Sequence, residues 1–277
     1  MLNQQSSVLN TSGYKFIPLD HLEDLRLVLK EKALAHQLKG TILISEEGAN
    51  IFLAGSVENL NIFRTWLEED PRFLNIPWKE SYSSSIPFKR MLVKIKKEII
   101  SMDAPMLCQQ QDRAKSVEPE QLKAWLDAGE EVVLLDTRND YEYRLGSFEN
   151  AVLMGLDHFR EFPEKIKSLL PTLKDKKVVT FCTGGIRCEK AALYMDRIGF
   201  NEVYQLNGGI LKYFEDCQGA HYAGDCFVFD KRVALDHHLQ QTKAVMCFAC
   251  LAPLTEEDQK SPLYICEKQC PYCSKKR

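Results

Sequence analysis

The 277-residue chain reads as an α/β protein: a ferredoxin-like split βαβ domain, then a doubly wound parallel-sheet domain, then a small cysteine-rich tail. Three observations predict this. In the first hundred residues, short apolar runs and helical patterns follow one another in the order β-α-β-β-α-β. Beyond about residue 118, single buried strands alternate with helices, the pattern of a parallel sheet covered on both faces. Five of the ten cysteines crowd into the last 31 residues.

The N-terminal unit, residues 1–103, starts with the apolar run YKFIPL. A helix over 22–35 follows, then GTILIS and ANIFLAG as a hairpin whose turn is Glu46, Glu47 and Gly48. A helix over 57–68 and the run FKRMLVKIKKEII complete it. In that last run Met91, Val93 and Ile95 alternate onto one face, while Arg90, Lys94 and Lys96 project from the other. Such charges read either as a solvated back or as a stripe that contacts phosphates.

Residues 104–117 are polar and without periodicity, a linker. In the second domain, 118–225, Pro119 opens a helix that Gly129 closes. EVVLLDTRN is a buried strand ending in Asp136 and Arg138; AVLMG, KVVTFC and EVYQLNGG are further strands. In such sheets the working site lies beyond the carboxyl ends of the strands. Asp136 and Arg138 therefore read as catalytic groups or, equally, as an ion pair fixing the loops.

The stretch VVTFCTGGIRCEKAALYMDRIGF sharpens the site. Val178 to Phe181 is a strand and Arg187 to Ile198 a helix closed by Gly199, so Cys182 sits where one hands over to the other. Unpaired N–H groups of Thr183, Gly184, Gly185 and Ile186 at a helix start favour an anion on the sulfur. A thiol so placed falls from about 8.5 toward neutrality or below. The bland alternative is a buried core cysteine. Arg187 and Lys190 add positive potential, Glu189 caps the helix start or pairs with Arg187, and Cys188 either packs or serves as a resolving thiol.

These residues resemble a known family. DTRNDYEYRLGSFENA, FREFP, CTGGIRCEKAA and QLNGGILKY resemble the rhodanese domain. Behind a ferredoxin-like unit, and before GDCFVFDKRVAL and a cysteine-rich end, they are similar to the bacterial rhodanese-like tRNA uridine hydroxylases over nearly the whole chain. The resemblance implies a rhodanese fold, with tRNA as partner and molecular oxygen as co-substrate for placing a hydroxyl on carbon 5 of the wobble uridine. It also implies a persulfide-bearing or thiolate role for Cys182. One departure is Ile51 in EEGANIF, where the family carries glycine. Phosphatases on this fold need arginine six positions after the cysteine; here that position is Cys188 and arginine comes at 187, the shorter sulfurtransferase length. The chain has no flavin or nicotinamide fingerprint and no evident histidine-plus-carboxylate set for non-haem iron.

In the tail, 226–277, Cys247 and Cys250 form one CxxC knuckle and Cys270 and Cys273 another, 19 residues apart. That spacing lets four sulfurs reach one tetrahedral ion and predicts structural zinc, with Cys266 a spare; the alternative is a redox or disordered end. His237 and His238 read as surface residues, and Lys275, Lys276 and Arg277 as a basic end able to touch RNA.

Net charge of −3 excludes a globally basic nucleic-acid binder, though not a local basic face. A polar start and no run of about 18 uncharged apolar residues predict a soluble cytoplasmic protein away from membranes. The resemblance, taken with the Cys182 loop, implies a tRNA uridine hydroxylase dependent on Cys182. Two alternatives stand beside it: a persulfide sulfurtransferase acting on a thiol or tRNA acceptor, and a non-catalytic binding module.

Overall fold

A computed structural model describes residues 8–104 and 114–274. Most of the expected linker, residues 105–113, and the basic end Lys275, Lys276 and Arg277 lie outside the described residues. The N-terminal unit runs β1 Val8–Phe16, α1 Leu22–Ala35, β2 Lys39–Ser45, β3 Gly48–Gly55, α2 Val57–Glu68, β4 Lys79–Ser83 and β5 Met91–Ile95. The α2 helix starts where the Ser56 hydroxyl accepts from the Asn59 N–H at 3.2 Å, and it buries Leu60, Phe63 and Leu67 on one face. Together with Leu29 and Ala33 of α1 these cover one side of the sheet, against Ile42, Ile44, Ile51, Leu53, Met91 and Val93. Ile51 is fully buried there, as a core residue of β3.

The sheet order is β4-β1-β3-β2-β5. Two sequence readings change. The first strand begins at Val8 rather than Tyr14, because β1 pairs along its length with both β3 and β4. The place of the last ferredoxin-like strand, antiparallel to β1, belongs to β4, whose polar KESYS run carries no apolar signal. The run over 88–100 contributes β5, a fifth strand parallel to β2 at the opposite edge.

The second sheet, order β6-β11-β10-β7-β9, is parallel throughout. Its strands are β6 Ser116–Val117, β7 Val132–Asp136, β9 Val152–Leu153, β10 Lys177–Phe181 and β11 Glu202–Leu206. Between them lie α3 Pro119–Asp127, α4 Asp140–Tyr143, β8 Gly146–Phe148, α5 Phe162–Leu173 and α6 Ile186–Arg197, and α7 Gly209–Cys217 follows. One apolar layer holds Ile166, Ala191 and Met195 on one face, and another Leu122, Ile210 and Phe214 on the other. After β12 Tyr222–Gly224, which pairs with β8, the hairpin β13 Cys226–Phe227 and β14 Ala234–Leu235 packs around Leu145. The tail adds β15 Val245–Met246, β16 Pro253–Leu254, α8 Glu256–Lys260 and α9 Pro271–Ser274. Among the described residues no helix is long and apolar enough to cross a membrane.

The two sheets are joined by buried charge. Lys190, fully buried on α6, places its ammonium 2.9 Å from Glu47 in the β2–β3 turn, 2.5 Å from Glu98 after β5 and 3.1 Å from the Ile100 carbonyl. Backbone N–H groups of Ile99, Met102 and Asp103 donate to the same two carboxylates. The positive potential expected of Lys190 near the thiol is therefore spent on the domain junction. Removing one partner of a buried ion pair strands the other in a low dielectric. Lys190→Met is expected to lower stability by about 3–5 kcal/mol, read as a lower denaturant midpoint of the intact chain; an unchanged midpoint would show that the junction does not depend on this cluster.

Candidate active site

Strand β10 ends at Phe181, and the next residue, Cys182, opens the loop to α6. Gly185, at φ 96°, turns its N–H onto the Cys182 sulfur at 3.1 Å. The start of α7 docks against this loop through Ile210 N–H to the Cys182 carbonyl, 2.9 Å, and Leu211 N–H to the Thr183 carbonyl, 3.1 Å. That approach requires glycine at 209. With φ 69°, a Cβ there would lie 2.5 Å from the Cys182 oxygen and 2.7 Å from the Gly185 nitrogen.

Burial by itself would raise the Cys182 pKa. A hydrogen bond from the Cys188 thiol, the charge of Arg187 and the N–H groups of Arg187 and Cys188 outweigh it and bring the thiol down to about 5. Arg187 is held in place by Glu142, with bidentate contacts of 2.5 and 2.8 Å. Glu142 is fully buried, and its carboxylate also takes the Asn139 N–H at 3.0 Å. Burial and the neighbouring Cys182 charge push Cys188 well up, so it stays a thiol, 3.6 Å from the Thr137 hydroxyl. Cys188 thus both packs and donates to the sulfur beside it.

Cys182 opens onto a cavity of about 420 Å³, within the roughly 300–1,000 Å³ typical of ligand sites. The opposite wall is the uncovered face of the N-terminal sheet: Tyr14 of β1, Asn50 and Phe52 of β3, and Lys79 and Ser81 of β4. Phe229, after β13, closes one side, with its ring edge-on to Phe227 at 5.0 Å and the Arg187 guanidinium 5.8 Å from it. Burial, then the charges of Glu189 and Cys182, raises the Tyr14 phenol well above its ordinary value; it hydrogen-bonds Glu189. Glu189 therefore faces the N-terminal domain.

Sequence reasoning missed this wall. Tyr14 and Lys79 lie in strands of another domain, 168 and 103 residues before Cys182 in the numbering, and no local pattern ties them to it. Only the order GDCFVFDKRVAL hinted at Phe229.

The remaining expected residues fall in two groups. Thr183, Gly184, Ile186 and Arg187 line the cavity with Cys182, and Gly185 supplies its N–H from just behind. Asp136 and Arg138 do not line it. They form a fully buried pair 2.6 Å apart, with Arg138 also donating to the Gly146 carbonyl at 2.8 Å and Ser147 donating to Asp136 at 2.8 Å. Of their two sequence readings, this geometry matches the ion pair that fixes loops. Arg90, Lys94 and Lys96 are exposed. Lys94 pairs in register with Leu43, a cavity-lining residue, so the stripe shares the cavity's face of the sheet at its β5 edge. In the tail the sulfurs of Cys247, Cys250, Cys270 and Cys273 lie within 4.8 Å of one another, a set able to hold a metal ion. Cys266 is exposed outside this set, and His237 and His238 are exposed, with their rings 4.1 Å apart.

Comparison with known proteins follows the same division. Residues 8–99 match the UPF0176 acylphosphatase like domain, and residues 118–216 the rhodanese-like domain. The chain is 52% identical over 271 residues to the tRNA uridine(34) hydroxylase of Cupriavidus taiwanensis, with 96% of each chain covered. It is 51% identical over 271 residues to that of Cupriavidus metallidurans, again with 96% of each covered. It is 48% identical over 277 residues to that of Burkholderia orbicola, covering 97% of this chain and 98% of the other.

A thiol lowered to about 5 is reactive as thiolate above that pH and loses reactivity as pH falls through it. The rate of iodoacetamide alkylation at Cys182, followed by peptide mass spectrometry, is expected to inflect near pH 5. In Arg187→Gln the inflection should rise by about 1–3 pH units, the range for losing an adjacent opposite charge. An inflection that stays put would remove Arg187 from the account.

Proposed function

This chain belongs to the tRNA uridine(34) hydroxylase family, and from that premise we propose that it hydroxylates carbon 5 of uridine 34 in tRNA. Molecular oxygen is the co-substrate and Cys182 the reactive sulfur. The observation that carries this reading is the position of the Cys182 thiolate at the floor of a cavity walled by a second domain. An enzyme acting on a base must take it out of its stack. An anticodon-loop uridine is unpaired, so little energy opposes its entry, and Phe52, Tyr14 and Phe229 line the cavity with aromatic rings against which it can pack.

Each expected residue then has a part. The N–H groups of the Thr183–Ile186 loop and the Arg187 charge keep the sulfur anionic at neutral pH. Asp136 and Arg138 act as positioning residues, locking the end of β7 against β8. Arg90, Lys94 and Lys96 meet anticodon-stem phosphates beside the cavity.

Zinc is the metal we assign to the tail. A four-thiolate zinc with bonds of about 2.3 Å separates its sulfurs by roughly 3.8 Å. Cys250 and Cys270 are 3.6 Å apart, and Cys270 and Cys273 3.7 Å. Four thiolates leave no open position on the ion, so its role is structural. Protein purified without a chelating tag is expected to contain about one zinc per chain by elemental analysis, and chelation should lower its melting temperature. A metal-free protein indifferent to chelator would overturn the assignment.

The decisive experiment is isotopic. Enzyme and tRNA incubated under ¹⁸O₂ should yield hydroxyuridine at position 34 carrying the label, and Cys182→Ser, nearly isosteric but without an easily ionised nucleophile, should yield none. Label arriving from water, or thiolated uridine formed without oxygen, would favour the sulfurtransferase reading instead.

A further inference from the structure

Three cations line the cavity: Lys79, Arg187 and Arg232. Arg187 is engaged by Glu142, and Arg232 by Asp230 at 2.6 Å and by the Ser81 hydroxyl at 2.7 Å. The lining carboxylates are engaged as well, Glu80 by Arg64 and Glu215 by Lys212. Lys79 differs. Among the described residues it forms no ion pair; its ammonium meets the Pro77 carbonyl at 3.5 Å and lies 5.5 Å from the centre of the Tyr14 ring. The groups facing it are Cys182 on the loop, Glu189 on α6, Lys212 and Glu215 on α7, and Tyr14 on β1.

A half-buried ammonium that forms no ion pair is less well compensated than the other cations of the cavity. One retained opposite a reactive sulfur leaves room for an acceptor that arrives with the substrate. Lysine offers three donors and no acceptor. Uracil presents a carbonyl oxygen at C4, whereas cytosine presents an amino group there, a donor that an ammonium repels. A phosphate is the poorer match, because Lys79 lies inside the cavity, while the exposed stripe at the β5 edge is placed to meet the backbone.

We propose that Lys79 is a substrate-binding, specificity-determining residue that donates to O4 of the target uracil over Cys182, an inference that rests on the hydroxylase reading. Holding O4 fixes the uracil in place over Cys182, so Lys79 contributes to turnover by orienting the reacting ring more than to tRNA affinity, which phosphate contacts dominate. Burial lowers the Lys79 pKa, and although the charges of Cys182 and Glu189 partly offset this, it settles at about 8. The donor is present below that pH and is lost as pH rises through it.

The test uses full-length protein and tRNA carrying either U34 or C34. For Lys79→Met, kcat on U34 should fall on the order of 100-fold, the usual effect of removing one preorganised donor, while KM for tRNA and the salt dependence of binding hold. Wild-type activity should decline above about pH 8, and Lys79→Arg should retain partial activity with that decline moved upward. Lys79→Gln, whose amide also accepts, should raise turnover of C34 relative to U34. The triple variant Arg90→Gln, Lys94→Gln, Lys96→Gln supplies the contrast: a raised KM and a salt slope reduced by about one for each lost phosphate contact. Lys79→Met with wild-type kcat, or with the triple variant's binding signature, would overturn the proposal, as would a C34 to U34 ratio unmoved in Lys79→Gln. Inactive wild-type protein would instead sink the hydroxylase reading on which the proposal stands.

Discussion

The molecule depends on one buried ammonium held between two carboxylates. Lys190 is on the helix that begins at the reactive loop, Glu47 on the central hairpin turn of the N-terminal sheet, and Glu98 just past its edge strand. Charges so far from water are tolerated only when paired and hydrogen-bonded, and three backbone N–H groups complete the arrangement. The cluster bridges the two domains where the uncovered face of the first sheet meets the carboxyl edge of the second. The cavity is the space between them.

That placement gives the cavity its electrostatics. On one side, the loop amides and the Arg187–Glu142 pair hold an anionic sulfur. On the other, Tyr14 is kept protonated by burial and nearby negative charge, and Lys79, which forms no ion pair among the described residues, lies over the Tyr14 ring. The N-terminal sheet supplies the wall opposite the thiolate, and its basic edge extends the same face outward.

The tail follows a different logic. Its apolar cluster is little more than Leu254 and the cysteines themselves, joined by partly buried Val245, Tyr264 and Tyr272. So few contacts offset little of the entropy of ordering the segment, and a metal ion held by the four clustered cysteines would supply the missing stability. Contacts such as the Arg144 guanidinium over the Tyr272 ring, 4.9 Å away, tie it to the domain that carries the site.

What the sequence determined by itself was everything local. The helices over 22–35 and 57–68 follow from apolar spacing, the Cys182 loop from a strand, two glycines and a helix start, and the cluster of Cys247, Cys250, Cys270 and Cys273 from two knuckles whose cysteines lie three residues apart. These features are encoded within a few turns of chain, where spacing dictates geometry. Tertiary structure alone decided the rest. The polar strand Lys79–Ser83 has no apolar period because its cavity-side residues face a site rather than a core. Glu47, legible only as part of a turn, becomes one of two carboxylates at a buried junction, and Asp136 and Arg138, equally legible as catalyst or ion pair, lie fully buried against each other. Such roles depend on which distant surfaces are pressed together, and burial and Coulomb energy depend on that contact, not on position in the chain.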